Sequence, residues 1–287
     1  MNYEAPESIE SAVALLVNSG NETKIFAGGT DLIVQMKEDR IEPTTLIDIK
    51  KIKQARDINI TSDAISIGAA VTGAEIGECL DLQRLLPGVV EAVQYIGSDQ
   101  VQGRATIGGN LCNASPAADS VPALIAARAN IVIAGPDGMR SLAVEDFLLR
   151  PGKTVLSANE FVVSLEMPHP PQKYGEAYLR FTPRSEMDIA VVGVGVSVIL
   201  APDGTCVAAR IAVGAVAPTA RLVANASKIL CGKALNVDVL DQVSAAVSAA
   251  CEPINDKRGT VEFRTEVAGV MAARATKIAW QRAENSE

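Results

Sequence analysis

Aromatic side chains make up only 3% of this 287-residue chain, with one tryptophan, four tyrosines and five phenylalanines. Stacking platforms for nucleobases are scarce, and a net charge of −8 supplies no basic stripe for a phosphate backbone, so nucleic acid is not expected as a partner. Histidine occurs once, at His169 within "MPHPPQ". A two-histidine metal site or a cysteine–histidine pair has nothing to draw on, and His169 reads as a loop residue. Cysteines stand at 79, 112, 206, 231 and 251, too far apart for a CxxC motif or an iron–sulfur run, and read as free thiols. No metal site is expected in this chain. The longest apolar run, "IAVVGVGVSVILA" at residues 189–201, falls well short of the ~20 residues that span a bilayer and reads as a buried strand. "MNYEAPESIESAV" has no basic region leading into an apolar stretch, and a cytoplasmic location is expected.

What the chain does have is aliphatic bulk. Hydrophobic residues make up 48% of it, so the core must be built from Ala, Val, Ile and Leu, and the length suits two or three small domains. Ser8 can cap a helix with Ile9, Ala12, Val13, Leu15 and Leu16 on one face. A strand over 24–27, a short helix in "DLIVQMK" and a strand in "TTLIDIK" make a compact βαβ-like unit. "INITSDAISIGA" then reads as a hairpin turning at Ser62 and Asp63, followed by helical patterns in "TGAEIGECL" and "GVVEAVQYIG". A helix over 119–128, a strand "NIVIAG", a turn "PDG", a short helix "AVEDFLL" and a strand "EFVVSLEMP" complete the unit. "PHPPQK" at 168–173 should be extended and marks the main boundary. Beyond it come three strands and then three helical patterns, near 221–230, 237–250 and 260–281, which is α+β grammar.

Two stretches concentrate turn chemistry, "KIFAGGTDLIVQMK" at 24–37 and "TIGGNLCNASPAAD" at 106–119. An apolar segment running into Gly-Gly exposes successive backbone N–H groups with no Cβ in the way, and the helix start that follows adds its positive dipole end. Gly28, Gly29, Thr30, Asp31 and Leu32 fit this description of an anion cradle, and Thr106, Ile107, Gly108, Gly109 and Asn110 fit it again. Valine at Gly29 or at Gly109 is expected to spoil the cradle alike while sparing the fold. Taken singly, each stretch can equally be an ordinary tight turn; taken as a pair they suggest two halves of a pyrophosphate site. Asp119 can be no more than an N-cap. "PGKT" at 151–154 lacks the first glycine of a P-loop, and "GVGVSV" at 193–198 sits within a strand, where glycine permits close packing.

"FAGGTDLIVQMK", "TIGGNLCNASPAADSVPALIA" and "AYLRFTPRSEMDIAVVGV" together resemble the three signature regions of the FAD-binding medium subunit of the molybdenum hydroxylases, the xanthine dehydrogenase and carbon monoxide dehydrogenase family. The likeness runs from the N-terminus to about residue 281. It implies an α+β fold: a two-part FAD-binding domain of the vanillyl-alcohol-oxidase type (1–55 and 56–172), then a carbon monoxide dehydrogenase flavoprotein C-terminal domain (173–287) with a three-stranded antiparallel sheet and a helical bundle. In the family the first glycine loop, here Ala27, Gly28, Gly29, Thr30, Asp31 and Leu32, and the second, here Thr106, Ile107, Gly108, Gly109 and Asn110, wrap the FAD pyrophosphate. The resemblance further places an aspartate for cofactor hydroxyls at Asp119, a main-chain contact at Val162 and a basic residue at Arg180. It sets the loop "TPRSEMDIA" beside the isoalloxazine, making Ile189 a ring contact, although Ile189 could simply begin a buried strand. Cys112, inside the second motif, reads as a small buried side chain.

The function implied is electron transfer in a multi-subunit molybdenum hydroxylase. Electrons from 2Fe-2S clusters in a small partner subunit would pass through FAD in this chain to an external acceptor. A large partner subunit would carry the molybdenum cofactor and oxidise the substrate, in a dimer of heterotrimers with no membrane span. No catalytic acid or base is required of this chain, and the C-terminal domain is expected to help wall the flavin. Two alternatives remain at this level: a nucleotide-binding module of the same fold without redox turnover, and a self-contained flavin oxidase.

Overall fold

The strand β1 (Asn2–Glu4) lies parallel to β3 (Thr45–Asp48), which lies parallel in turn to β2 (Thr23–Phe26), giving a small sheet of order β1-β3-β2. The computed structural model describes residues 1–20, 22–184 and 188–286. The Ile9–Ser19 helix begins where the sequence places it, with the Ser8 hydroxyl accepting from the Ser11 amide at 3.1 Å. Between β2 and β3 runs the short Leu32–Lys37 helix.

Five strands form the second sheet. β4 (Ile58–Ile60) and β5 (Ala64–Gly68) are the expected hairpin, and β6 (Asn130–Gly135) pairs with β7 (Gly138–Ala143). The sequence reading passes straight from "PDG" to a helix and misses β7. The expected helix "AVEDFLL" is only one 3₁₀ turn, Val144–Asp146, because β8 (Leu148–Arg150) begins at once and folds back on β9 (Lys153–Thr154). "PGKT" is the turn of that hairpin, with Gly152 at φ +71°. β10 (Phe161–Pro168) lies between β5 and β6 in the antiparallel order β4-β5-β10-β6-β7.

The third sheet comprises β11 (Tyr174–Phe181), β12 (Val192–Leu200), β13 (Cys206–Gly214) and a two-residue edge strand β14 (Arg221–Leu222), all antiparallel. The three expected strands are its body; β14 occupies what reads in the sequence as the start of a helix. Strand β12 is apolar almost continuously because both its faces are covered. Val194, Val196 and Val198 share a core with Ala268, Ala272, Ala275 and Ala279 of the long Val261–Asn285 helix. On the other face the Ser120–Ala126 helix comes so close that a Cβ at Gly195 would stand 2.4 Å from the Pro122 carbonyl oxygen. Ser197 donates to the Ala126 carbonyl at 2.7 Å, and Arg210 Nε to the Ile125 carbonyl at 2.9 Å. The bond from Ser197 gives the Ala126 carbonyl, at the end of that helix, a partner, and the one from Arg210 adds to the Arg128 amide already on the Ile125 carbonyl.

A seam of charge ties the third sheet to the Pro87–Gln94 helix. Glu176 on β11 is buried and accepts from the first amides of that helix, Gly88 at 2.9 Å and Val89 at 3.1 Å, and from the Tyr174 hydroxyl. Glu91 accepts from the Tyr178 amide at 2.9 Å and pairs with Arg282, whose other nitrogen donates to the Glu176 carbonyl at 2.7 Å. Tyr178, Ala212 and Ala220 belong to the same core cluster as β5, β6 and β10, so burial is continuous across "PHPPQK". Among the described residues no helix is long and apolar enough to cross a membrane.

Candidate functional site

Because β2 and β3 are parallel, the chain leaving Phe26 must turn over the sheet end before the Leu32–Lys37 helix begins. Gly29 makes that turn at φ +75°, a backbone conformation that costs other residues ~1–2 kcal/mol. Nor is there room for a side chain. A Cβ at Gly29 would stand 2.4 Å from the Phe26 ring, and one at Gly28 would stand 2.0 Å from the Arg104 carbonyl oxygen. Within the described residues, the amides of Gly28, Gly29, Thr30 and Asp31 donate to no protein acceptor. All four residues, with Ala27 and Leu32, line one cleft. Burial raises the Asp31 carboxyl above its ordinary range.

The second double glycine enters the same cleft by different means. Thr106, Gly108, Gly109 and Asn110 line it, but the pair lies inside the Ile107–Cys112 helix and not in a loop. Thr106 caps that helix through its hydroxyl, which takes the Gly109 amide at 3.1 Å, while the Gly108 amide goes to the Ala69 carbonyl at 3.1 Å. The Ile107 amide is engaged by the Val71 carbonyl and its side chain is fully buried. From Ile107 to Asn110 this segment therefore has its amides engaged, unlike Gly28 to Asp31. It offers close approach: Gly109 lines the cleft, and apart from its chain neighbours and its own helix backbone, the atom that a Cβ there would meet among the described residues is the Thr106 hydroxyl oxygen at 2.9 Å. Gly108 has a separate task, since a Cβ there would stand 2.6 Å from the Ala69 carbonyl oxygen.

The far wall comes from β10 and the turn before it, with Ser157, Glu160, Phe161 and Val162. Val162 stands beside a register shift in β10, where the ladder to β6 is interrupted. Arg140 clamps Glu160 at 2.7 and 2.9 Å and, aided by the Ser157 amide, holds its carboxyl down to about 2. The sequence reading passed over this turn, although "SANE" carries the S-x-x-E signal of a reciprocal cap. Cys112 also departs from expectation. It lines the cleft and is exposed to it, because helical spacing sends Leu111 into the core instead.

Four expected residues lie off the cleft wall: the buried Ile107, and Asp119, Arg180 and Ile189. Asp119 precedes the Ser120–Ala126 helix but makes no capping bond; its carboxylate takes the Tyr178 hydroxyl at 2.8 Å and pairs with Arg180 at 3.2 Å. Burial pushes its carboxyl up to about 6 against the pull of that guanidinium. Arg180 also stacks 4.4 Å above the Tyr95 ring and donates to the Tyr95 carbonyl, next to Ile96 on the cleft wall. Ile189 is 52% exposed and stands ahead of β12. Residues 185–187 of the loop "TPRSEMDIA" lie outside the described residues. Among the described residues, those lining the cleft fall between 16 and 162, and described residues of the C-terminal sheet meet this region through the Asp119–Arg180–Tyr95 contacts.

The cleft holds about 510 Å³, within the ~300–1,000 Å³ usual for cofactor sites. Free amides and a double-glycine turn lining one cleft fit a phosphate-bearing dinucleotide. Comparison with known proteins agrees. Residues 1–170 match the model for the FAD binding domain in molybdopterin dehydrogenase, and 177–279 that for the CO dehydrogenase flavoprotein C-terminal domain. The chain is 35% identical to the carbon monoxide dehydrogenase medium chain of Hydrogenophaga pseudoflava, covering 98% of this chain and 97% of that one. It is 29% identical to the xanthine dehydrogenase FAD-binding subunit of Escherichia coli O157:H7, over 94% and 92%. Among solved structures, carbon monoxide dehydrogenase from H. pseudoflava superposes with a TM-score of 0.93 at 35% identity, covering 98% of each chain. Quinoline 2-oxidoreductase from Pseudomonas putida 86 superposes at 0.90 with 26% identity, over 99% of this chain and 98% of that one.

Proposed function

The chain belongs to the FAD-binding family of the molybdopterin dehydrogenases, and from that premise we propose that the cleft between residues 27–32 and 106–110 is where it holds FAD. It is an FAD-binding subunit of a multi-subunit molybdenum hydroxylase, an oxidoreductase in which its part is electron transfer. The single observation that carries the placement is the run of four residues with unengaged amides, Gly28 to Asp31, lining the same cleft as Gly109.

In this reading Ala27, Gly28, Gly29, Thr30, Asp31 and Leu32 hold the diphosphate, while Thr106 and Ile107 fix the helix that brings Gly108, Gly109 and Asn110 against it. Val162 borders the cofactor through its main chain. Asp119 and Arg180 meet it from behind Tyr95, and Ile189 stands at the outer edge of the ring. Bound FAD supplies the redox chemistry; the residues of this chain bind it, orient it and keep water from it. The reading also assigns 1–55 and 56–172 to the two parts of the FAD-binding domain and 173–287 to the C-terminal domain. Electrons arrive from 2Fe-2S clusters in a small partner subunit, the molybdenum cofactor sits in a large one, and the whole is a cytoplasmic dimer of heterotrimers.

The test is the isolated full-length chain loaded with FAD. It should accept electrons from a chemical reductant, with loss of the flavin absorbance, and leave organic substrates untouched. Turnover of an organic substrate by the chain alone would contradict the reading.

A further inference from the structure

Lys50 lies outside the glycine motifs and off the cleft wall, yet it touches the cradle from beneath. It follows β3 in the Ile49–Lys51 turn, and its ammonium donates to the Ala27 carbonyl at 2.9 Å. The same nitrogen pairs with Asp48 at 2.7 Å and sits 4.2 Å over the Phe26 ring. Asp48 is fixed in its turn by the Lys50 amide at 2.9 Å and the Tyr3 hydroxyl. Ammonium, carboxylate and ring thus form one block under the end of β2, where Phe26 and Asp48 are partners in register.

From this arrangement we infer that Lys50 is the positioning residue of the cofactor loop. The peptide bond is planar and trans, so its C=O and N–H point in opposite directions. Pinning the Ala27 carbonyl toward Lys50 therefore aims the Gly28 N–H away from it, and Gly28 is the first of the amides left without an acceptor. The Phe26 ring, beneath the ammonium, also fills the space that a Cβ at Gly29 would take, at the one point in the loop where φ is positive. A loop held this way before FAD arrives loses less freedom on binding it. The inference rests on the proposed placement of the cofactor.

The experiment measures FAD affinity of the deflavinated full-length chain by titration, with ADP, which carries the diphosphate and adenosine without the flavin, as a second probe. Lys50→Met keeps the stem and removes the ammonium; it should weaken FAD and ADP by a similar factor, about tenfold or more. Lys50→Arg should recover most of that loss, and Lys50→Met combined with Asp48→Asn, which leaves no unpaired carboxylate, should keep it. Melting of the FAD-free protein should be nearly the same in the double variant and the wild type. Unchanged FAD affinity in Lys50→Met overturns the inference. So does a loss that arginine fails to rescue and that tracks the melting temperature. A wild type that binds no FAD overturns the placement of the cofactor and this inference with it.

Discussion

Replacing Glu176 by glutamine should stabilise the protein at alkaline pH and leave it nearly unchanged at acid pH. Glu176 is fully buried where β11 meets the Pro87–Gln94 helix, and burial pushes its carboxyl up from 4.5 to about 7. Hydrogen bonds from Tyr174, Val89 and Gly88 resist that rise, and the nearby Glu91 carboxylate adds to it. The folded protein therefore holds this proton more tightly than the unfolded chain does. Stability from this group is fully present below pH 4.5 and is lost as pH rises to about 7. At about 1.4 kcal/mol per pH unit, the interval is worth roughly 3 kcal/mol. Glutamine resembles the protonated acid: its oxygen can accept from the Gly88 and Val89 amides while its NH₂ faces the Tyr174 hydroxyl. Thermal melts of the two proteins from pH 5 to pH 8 provide the assay. The curves should coincide at the acid end and separate by about 5–10 °C at pH 8, with Glu176→Gln the more stable. Parallel curves, or a variant that melts below the wild type at pH 8, would refute the argument.

Three further outcomes follow from the packing. Gly109→Val should lose FAD with only a modest drop in melting temperature, since its nearest obstacle is the capping hydroxyl of Thr106, a contact worth ~0.5–2 kcal/mol. Gly29→Val should lose FAD and also melt markedly earlier, because it puts a β-branched residue at a positive φ and into collision with Phe26; calorimetry beside FAD titration separates the two. A fragment ending at residue 173 should not stay compact, because it uncovers the Ser120–Ala126 helix and frees the Gly88 and Val89 amides; binding of a hydrophobic dye and loss of a cooperative melt would register this.

What the sequence made legible was local. The Ser8 cap, the alternation of "NIVIAG" and the glycine turn after β2 are each decided within a few residues, and all three stand where periodicity and turn chemistry put them. The reading "glycine for close packing" in "GVGVSV" also holds, though only the fold shows that Pro122 is what packs there. Long-range partners were not legible. Gly29 and Gly109 look alike in sequence but differ in kind, one needed for its backbone conformation and the other for the space beside it. Asp119 looks like a cap because no short-range rule says that Tyr178 and Arg180 will come to it across the domain seam. Lys50 and Glu176 sit in no motif; their importance comes from an Ala27 carbonyl and a helix start that the fold brings to them. The strand β7 was lost for another reason: exposed along most of its length, it shows none of the apolar alternation that marks a half-buried strand.

The central claim is that FAD is held by the amides of Gly28, Gly29, Thr30 and Asp31 against Gly109. Hydrogen exchange of the full-length chain, followed by mass spectrometry with and without FAD, tests it at those atoms. Lacking acceptors, these four amides should exchange rapidly in the FAD-free protein and become strongly protected when FAD binds, while β12, buried in the C-terminal core, stays equally protected in both states. Saturating FAD that leaves the 28–31 segment unprotected, with protection appearing elsewhere, would contradict the account.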